Sequence, residues 1–198
     1  LSFLNQEWTI GLNKIFLGFQ KYHFYANYIV AVNEQVLKQS AEVYRELSSV
    51  KFLSNRCSEL YQPDAFTHIL DTNSPPYRFC KDITLGVEEG FTVTFAALQV
   101  CYYLGFQQIV IIGMDHDYIF SGEPNERKVL QDADPNHFSP DYFGYGQKWD
   151  NPDLIKSEEY YRIARTVFEG DGRSIVDATV NGKCDVFEKR DYKQFFSL

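Results

Sequence analysis

Apolar positions along the chain follow two spacings, one typical of buried β-strands and one typical of helices. Short apolar runs predict strands at 8–12, 28–32, 50–53, 66–70, 109–112, 174–177 and 184–187. Apolar residues three and four apart predict helices at 13–22, 34–47, 92–104 and 154–168. Strands that alternate with helices predict an α/β fold, in which helices cover both faces of a mostly parallel sheet.

Turn signals complete this outline. The pair Asn181-Gly182 between the two late strands predicts a β-hairpin. Residues 119–153 are too long for an ordinary connection, and glycine, proline and charged residues interrupt every apolar period, which predicts a lid-like loop. Because the chain contains neither a repeat nor a second apolar unit, residues 1–198 are predicted to form one α/β domain with a substantial core.

Charge and cysteine content narrow the class of protein. The net charge of −8 argues against nucleic acid or an anionic membrane surface as the main partner. The four cysteines are widely spaced, which predicts free thiols rather than a zinc site or a disulfide framework. Every apolar run is shorter than the roughly 20 residues of a membrane span, and no signal peptide is recognised. We therefore expect a cytoplasmic protein without a transmembrane segment, either a monomer or a homo-oligomer.

Residues 90–118 carry polar side chains at both ends of one apolar helix–strand unit. The unit opens with Gly90, Thr92 and Thr94, and the triplet Asp115-His116-Asp117 follows its strand. Ligands of open α/β sheets bind beyond the carboxyl ends of the strands. We therefore expect a site where these two ends meet.

Two asparagines and two threonines are candidate ligand-binding residues. Asn13 and Asn33 each follow a predicted strand, where an asparagine either caps the next helix or contacts a base edge or a ribose hydroxyl. One of Thr92 and Thr94 is expected to cap the helix that follows, and the free N–H groups at that helix start attract phosphate. On a parallel sheet these residues lie at one edge, around one cleft.

The aspartates after the central strand have two interpretations. Asp115 and Asp117 either hold Mg²⁺ on a diphosphate, or Asp115 orders a sugar or a loop without a metal. Glycosyl transfer also needs a base, and a histidine near its ordinary pKa suits that role. Of the four histidines, His137 is preferred over His116 because it lies among the aromatic residues of the long loop, where closure would exclude water; an exposed bystander is the alternative.

The order Gly-x-Thr-x-Thr, apolar helix, Leu-Gly-Phe, apolar strand, Gly-x-Asp resembles the bacterial CMP-sialic-acid-dependent sialyltransferases. It resembles more closely the related motility-associated glycosyltransferase and 6-hydroxymethylpterin diphosphokinase-like families. The likeness extends over most of the chain and implies a Rossmann-like fold of the glycosyltransferase type.

The resemblance also assigns residues. Asn13 and Asn33 fall on the nucleotide-contacting asparagines, 92–94 on the donor-binding turn, Asp115 on the aspartate after the central strand, and 136–138 on the segment that supplies the base. Members of these families begin with a strand and a glycine-rich phosphate loop, and this chain starts after that point, which implies a fragment or a divergent member. Asp117 replaces an aromatic position of the sialyltransferases. Neither GxGxxG nor GxxxxGKS occurs.

The resemblance implies a glycosyltransferase that moves a sugar, a nonulosonic acid, from a CMP-linked nucleotide-sugar donor to a glycan or protein hydroxyl. The implied donor-binding residues are Asn13, Asn33, Thr92, Thr94 and Asp117, and the implied catalytic residues are His137 and Asp115, with no metal cofactor. One alternative is a pterin diphosphokinase-like enzyme in which Asp115 and Asp117 hold Mg²⁺ under ATP. The other is a non-catalytic nucleotide- or glycan-binding domain.

Overall fold

A computed structural model of the chain describes residues 1–131, 134–140, 142–143 and 145–196. The strands of this part of the chain are β1 (Ile10–Leu12), β2 (Tyr28–Ala31), β3 (Val50–Ser54), β4 (Thr67–Leu70), β5 (Gln108–Ile111), β6 (Arg127–Val129), β7 (Lys148–Asp150), β8 (Ser174–Asp177) and β9 (Glu188–Lys189). The α-helices are α1 (Phe19–Tyr22), α2 (Glu34–Gln39), α3 (Ala41–Glu46), α4 (Val93–Tyr103) and α5 (Leu154–Gly170).

The strands form three sheets. Four parallel strands make up the first sheet in the order β1-β2-β3-β4. A second parallel sheet has the order β5-β8-β9, and β6 and β7 form a separate antiparallel ribbon. The α/β class and the predominance of parallel pairing, both predicted from the alternation of strands and helices, are thus confirmed.

Helices cover both faces of the four-stranded sheet. Successive strand residues point to opposite faces, and here Ile29 and Ala31 join one buried cluster while Val30 and Val32 join another. The first cluster includes residues of α2 and α3, and the second includes residues of α4. A third cluster packs α4 and α5 against the three-stranded sheet, with Phe168 fully buried at its centre.

Two predicted helices are interrupted. The helix predicted at 34–47 breaks at Ser40, whose φ of −120° and ψ of 20° leave the helical range, so that α2 and α3 are separate. The helix predicted at 13–22 begins as a 3-10 helix, Ile15–Gly18, before α1. By contrast, α4, α5 and β8 lie within two residues of their predicted bounds.

The predicted hairpin around Asn181-Gly182 is wrong. Asn181 does adopt the left-handed φ of 58° that suits such a turn, but β8 pairs with β9 in parallel. Residues 184–187, predicted as a strand, instead bury Cys184, Val186 and Phe187 in the third cluster, and the strand begins at Glu188. The burial of these three side chains outweighs a turn preference that depends on two residues alone.

The long segment 119–153 is attached to the core. Its ends pair as β6 and β7, and the described residues between them include Tyr142 and Phe143, which are buried in the first cluster together with Trp149 of β7. Behaviour as a lid stays a prediction. Among the described residues, no helix is both long and apolar enough to cross a membrane.

Gly90 lies in a tightly packed position just before α4. Its φ is 59°, and an added Cβ would lie 2.5 Å from Cδ1 of Phe95 and 2.9 Å from Cδ1 of Tyr160. Gly105, after the same helix, also has a positive φ but faces open space. We expect Gly90→Ala to lower the free energy of unfolding by about 1–3 kcal/mol more than Gly105→Ala does. Urea denaturation of both variants measures the difference, and equal losses would contradict the packing described here.

Candidate functional site

An open cleft of about 1710 Å³ runs past the carboxyl ends of β1, β2 and β5. Its lining includes all seven residues that the sequence predicted for the site, namely Asn13, Asn33, Thr92, Thr94, Asp115, Asp117 and His137. The fold therefore brings together side chains that lie up to 124 positions apart in the sequence, from residue 13 to residue 137. Their roles in binding and catalysis stay predictions.

Asn13 does not cap a helix. The 3-10 helix that follows it starts from Lys14 and lacks a side-chain cap. Asn13 has a left-handed φ of 46°, and its N–H extends the β1–β2 ladder by donating to the carbonyl of Val30 at 2.9 Å. Its side-chain Oδ1 is buried, and no hydrogen-bond partner is found for it within the described residues. An unpaired buried acceptor costs about 1–3 kcal/mol, a cost that a hydrogen-bond donor on a ligand would remove.

Asn33 and Thr92 do cap helices. Oδ1 of Asn33 accepts from the N–H of Val36 at 3.1 Å, at the start of α2. Oγ1 of Thr92 accepts from the N–H of Thr94 at 3.3 Å, at the start of α4. The capping predicted for one of the two threonines is therefore confirmed for Thr92. Both capping side chains still line the cleft.

The hydroxyl of Tyr161 faces the start of α4. Its Oη lies 3.1 Å from Oγ1 of Thr92. Burial raises the pKa of Tyr161 to about 12, so that its hydroxyl keeps its proton at neutral pH. The hydroxyl groups of Thr92 and Tyr161 therefore add no negative charge at the start of α4.

A buried glutamine fixes the loop that leads into α4. Oε1 of Gln99 accepts from the N–H groups of Cys80 and Glu88, at 3.0 and 3.2 Å. Its Nε2 donates to the carbonyls of Glu88 and Phe95, at 2.7 and 3.2 Å. Because every polar atom of this fully buried amide is engaged, the backbone before Gly90 is held in one position.

The two aspartates after β5 are exposed. The carbonyl of Asp115 accepts from the N–H of Lys183 at 2.8 Å, whereas the carboxylates of Asp115 and Asp117 face solvent at the cleft. No group of three or more His, Cys, Asp or Glu side chains within the described part of the chain converges as a metal site. Magnesium held by one or two carboxylates is completed by substrate phosphates and water, so the magnesium alternative depends on these two residues and on the substrate.

The side chain of His116 points towards α5. It has a left-handed φ of 55°, and its side chain is only 7% exposed. Nε2 lies 3.3 Å from Oε1 of Glu158 in α5, but it has no hydrogen-bond partner among the described residues. His116 therefore links the loop after β5 to α5.

His137 forms a carboxylate–imidazole pair with Asp134. Nδ1 of His137 lies 2.7 Å from Oδ2 of Asp134, whose side chain is 1% exposed. The imidazole stacks on the ring of Tyr142, with centroids 3.9 Å apart and an interplanar angle of 8°. Burial lowers the pKa of His137, with the charge of Asp134 acting in the opposite direction, so that the ring is neutral at pH 7. A neutral imidazole held at Nδ1 offers Nε2 as a base.

Asp134 is itself held by backbone donors. Its carboxylate accepts from the N–H of Asn136 at 2.9 Å and from the N–H of Phe143 at 3.3 Å. These contacts fix the carboxylate, and the carboxylate in turn fixes the tautomer and the orientation of His137.

Lys14 connects the end of β1 to the long segment. The side chain is buried, and its Nζ donates to the carbonyl of Tyr142 at 2.6 Å and to Oε1 of Gln147 and Gln39 at 3.0 and 3.1 Å. Burial lowers the pKa of Lys14 to about 8, so that the ammonium group remains protonated at neutral pH. All three of its protons then have an acceptor.

Tyr118, in the loop after β5, lies beside His137. Its ring centroid lies 6.3 Å from that of His137, and burial raises the pKa of its hydroxyl. The backbone N–H of Lys14 donates to Oη of Tyr142 at 3.3 Å. The chain segments that leave β1 and β5 therefore meet around the His137–Tyr142 stack.

Sequence reasoning missed Asp134 and Lys14. Asp134 precedes a proline and lies three residues before His137, and an Asp-Pro pair that starts a turn is a readable signal. Lys14 carries no comparable signal, because a lysine after a strand is ordinarily exposed.

Comparisons with protein-family models, with curated proteins and with solved structures return no match for this chain. The resemblance to the sialyltransferase superfamily therefore depends on the sequence motifs alone.

Proposed function

We propose that this chain is a Rossmann-like domain of the glycosyltransferase type, which binds a nucleotide sugar in the cleft and uses His137 as its general base. The Asp134–His137 pair, held at the wall of the same cleft as Asn13 and the start of α4, is the observation that carries the proposal. Parallel sheets with polar residues beyond their carboxyl ends support the fold assignment.

In the proposed reaction, Nε2 of His137 takes the proton of the acceptor hydroxyl. The acceptor oxygen forms a bond to the anomeric carbon, and the bond from that carbon to the donor phosphate oxygen breaks, which releases the nucleotide. The negative charge of Asp134 stabilises the imidazolium ion that results. A general base of this kind contributes roughly 10²–10⁴-fold to the rate.

The donor would lie between β1 and the start of α4. There Oδ1 of Asn13 accepts from a ribose or base donor, and the N–H groups at the start of α4 attract the phosphate. Asn33, Thr92, Thr94 and Asp117 line the same space, and Asp115 orders the loop after β5. A CMP-linked nonulosonic acid is the donor that the sequence resemblance favours.

Titration calorimetry with CMP, UDP and ADP, each in EDTA and in Mg²⁺, tests the binding half of the proposal. We expect CMP to bind most tightly and equally well in both buffers. Binding of ADP that requires Mg²⁺ would support the pterin diphosphokinase-like alternative instead. Nucleotide binding without transfer to any hydroxyl acceptor would indicate a non-catalytic domain, and no binding of any nucleotide would overturn the proposal.

Asn13 and Asn33 should behave differently when they are replaced. Asn13→Gly keeps the left-handed backbone accessible and removes the unpaired oxygen, so we expect nucleotide affinity to fall about tenfold, the equivalent of one hydrogen bond. Asn33→Ala removes a helix cap, so we expect a loss of about 1 kcal/mol in the free energy of unfolding. Calorimetry measures the nucleotide affinity of both variants, and urea denaturation measures their free energies of unfolding. Unchanged nucleotide affinity in Asn13→Gly would contradict the donor contact.

The pH dependence of kcat/KM follows from the lowered pKa of His137. The base must be neutral, so the rate falls as the pH drops through this pKa. Because burial lowers the pKa from its ordinary value of 6.5, we expect the acidic limb to lie below pH 6.5. Initial rates measured from pH 4.5 to 8 locate the limb, and a limb above pH 6.5 would count against His137 as the base.

A further inference from the structure

An ion pair that the proposed reaction does not use lies in the wall of the cleft. Nη2 of Arg56 is 3.2 Å from Oε2 of Glu89, and both residues line the cleft. The exposed fraction is 43% for the side chain of Arg56 and 21% for that of Glu89. The guanidinium side of the pair is therefore the more open one, and the carboxylate side is the more enclosed.

Arg56 follows β3 and is held there by hydrogen bonds to its neighbours. Its N–H donates to Oγ of Ser54 at 3.2 Å, at the start of a 3-10 helix, Asn55–Leu60. Oγ of Ser54 also lies 2.7 Å from Oγ1 of Thr72, which follows β4. The N–H of Thr72 donates to Oδ1 of Asn55 at 3.2 Å. Side-chain hydrogen bonds therefore join the carboxyl ends of β3 and β4 beside Arg56.

Glu89 belongs to the loop that leads into α4. Its carbonyl accepts from the N–H of Thr92, the residue that caps this helix, at 3.1 Å. The buried Gln99 holds the backbone of the preceding residue, Glu88, as described above. Glu89 is therefore fixed one turn before the helix start to which the proposed function assigns the phosphate.

Oε1 of Glu89 is an acceptor without a donor. It is buried, and within the described residues no hydrogen-bond partner is found for it. Burial raises the pKa of Glu89, whereas the positive charge of Arg56 acts in the opposite direction and favours the ionised carboxylate. The terminal torsion of a glutamate side chain is broad, so rotation about the Cγ–Cδ bond turns this oxygen towards the cleft. The carboxylate then has one oxygen for Arg56 and one for a ligand.

The pair presents an acceptor beside donors. An ionised carboxylate only accepts hydrogen bonds, and a guanidinium group only donates them, through five N–H groups in one plane. Proteins recognise unpaired nucleobases by hydrogen bonds to the Watson–Crick edge. Cytosine and adenine carry an amino donor beside a ring-nitrogen acceptor, which complements the pair. Uracil and hypoxanthine carry the reverse order, a carbonyl acceptor beside a ring N–H donor.

We propose that the Arg56–Glu89 pair binds the base of the nucleotide and selects an amino-bearing base, cytosine or adenine, over a keto base. Oε1 of Glu89 accepts from the amino group, and the guanidinium group of Arg56 donates to the ring nitrogen beside it. The carboxyl ends of β1 and β3 are two strand spacings apart, about 10 Å, so that the ribose lies between the pair and Asn13. This inference rests on the proposed function, because it assigns the base within the same nucleotide site.

Two pairs of nucleoside monophosphates test the preference, because the members of each pair differ only along this edge. CMP is compared with UMP, and AMP with IMP, by titration calorimetry on the whole chain at neutral pH. We expect the amino member of each pair to bind at least about tenfold more tightly, the equivalent of one hydrogen bond. The pair with the higher affinity identifies the base as a pyrimidine or a purine, which separates a CMP-linked donor from ATP.

Glu89→Gln tests the assignment to these residues. Because Arg56 only donates, it holds the amide oxygen of the new side chain, and the amide nitrogen faces the base. An amide donor suits the carbonyl of a keto base and opposes an amino group. We therefore expect the ratio of amino to keto affinity to fall at least about tenfold.

Glu88→Gln is the matched control. It removes the same charge one residue away, and its amide oxygen can still accept from the N–H of Gly90, as Oε1 of Glu88 does at 3.1 Å. The ratio of amino to keto affinity should stay as it is in the unmodified protein. Since both affinities in a ratio come from one preparation, a partial loss of folded protein does not alter it.

Three results would overturn the inference and leave the proposed function standing. The first is equal affinity within both nucleotide pairs. The second is an amino preference that persists in Glu89→Gln, which would show that the base is recognised elsewhere. The third is an equal loss of preference in Glu88→Gln, which would attribute the effect to charge rather than to the hydrogen-bonding edge. Absence of binding by all four nucleotides would overturn the inference together with the proposed function.

Discussion

Replacing His137 by alanine is expected to reduce turnover by roughly 10²–10⁴-fold, the contribution of a general base, while nucleotide affinity stays within about a few-fold. The imidazole acts on the acceptor hydroxyl rather than on the donor. Its ring is held by Asp134 and Tyr142 at the cleft wall, and Nε2 is the nitrogen left to take the proton. The measurement is transfer from a CMP-linked sugar to a hydroxyl acceptor, together with calorimetry of CMP on the same preparation.

His116→Ala is the matched control. His116 lies between Asp115 and Asp117, and its side chain faces α5, so its removal should disturb the loop after β5 and weaken donor binding. Unchanged turnover in the His137 variant beside an inactive His116 variant would show that the wrong histidine had been chosen. If the unmodified chain transfers no sugar from any CMP-linked donor, a non-catalytic nucleotide- or glycan-binding domain is the better description of this protein.

Replacing Asp134 by asparagine is expected to reduce turnover by roughly 10²–10³-fold, less than the loss of the histidine itself. The amide can offer an N–H to Nδ1 of His137 where the carboxylate offered only acceptors, which favours the tautomer that carries its proton on Nε2. That tautomer cannot accept a proton at Nε2. The charge that stabilises the imidazolium ion is also lost.

A pH profile separates this positioning role from a purely structural one. The charge of Asp134 raises the pKa of His137 against the effect of burial, so Asp134→Asn should move the acidic limb of kcat/KM to lower pH. The carboxylate also accepts from two backbone N–H groups, so the variant is compared in urea denaturation as well. A slower enzyme whose acidic limb stays in place would indicate that Asp134 supports the loop and does not tune the base.

The elements that the sequence predicted best are those with long, clear apolar patterns. α4 and α5 were located within two residues, α5 because it has one long apolar face and α4 because it is a continuous, mostly apolar run that is buried from residue 95 to 101. The capping by Asn33 was also readable, since a cap depends on residues three positions apart. Both are local interactions, and local interactions are what a linear pattern records.

Errors arose where packing between distant segments decided the outcome. The turn at 181–182 was read from two residues, but the burial of 184–187 against α5 and β8 set a parallel pairing. β5 was predicted as a strand from its apolar run, which is typical of buried strands, whereas its place beside the cleft leaves it half-buried. Composition describes what a strand can bury, and the neighbouring strands determine what it does bury.

By itself the sequence determined the α/β class, the parallel pairing and the chain positions of the polar residues at the strand ends, because these follow from periods of two to four residues. Only the tertiary structure decided which of those residues meet. The pairing of His137 with Asp134, its stacking on Tyr142 and the burial of Lys14 against that stack join β1 to a segment more than a hundred residues later. Contacts over such distances depend on how the sheets, helices and ribbon pack together, and no local pattern in the chain encodes them.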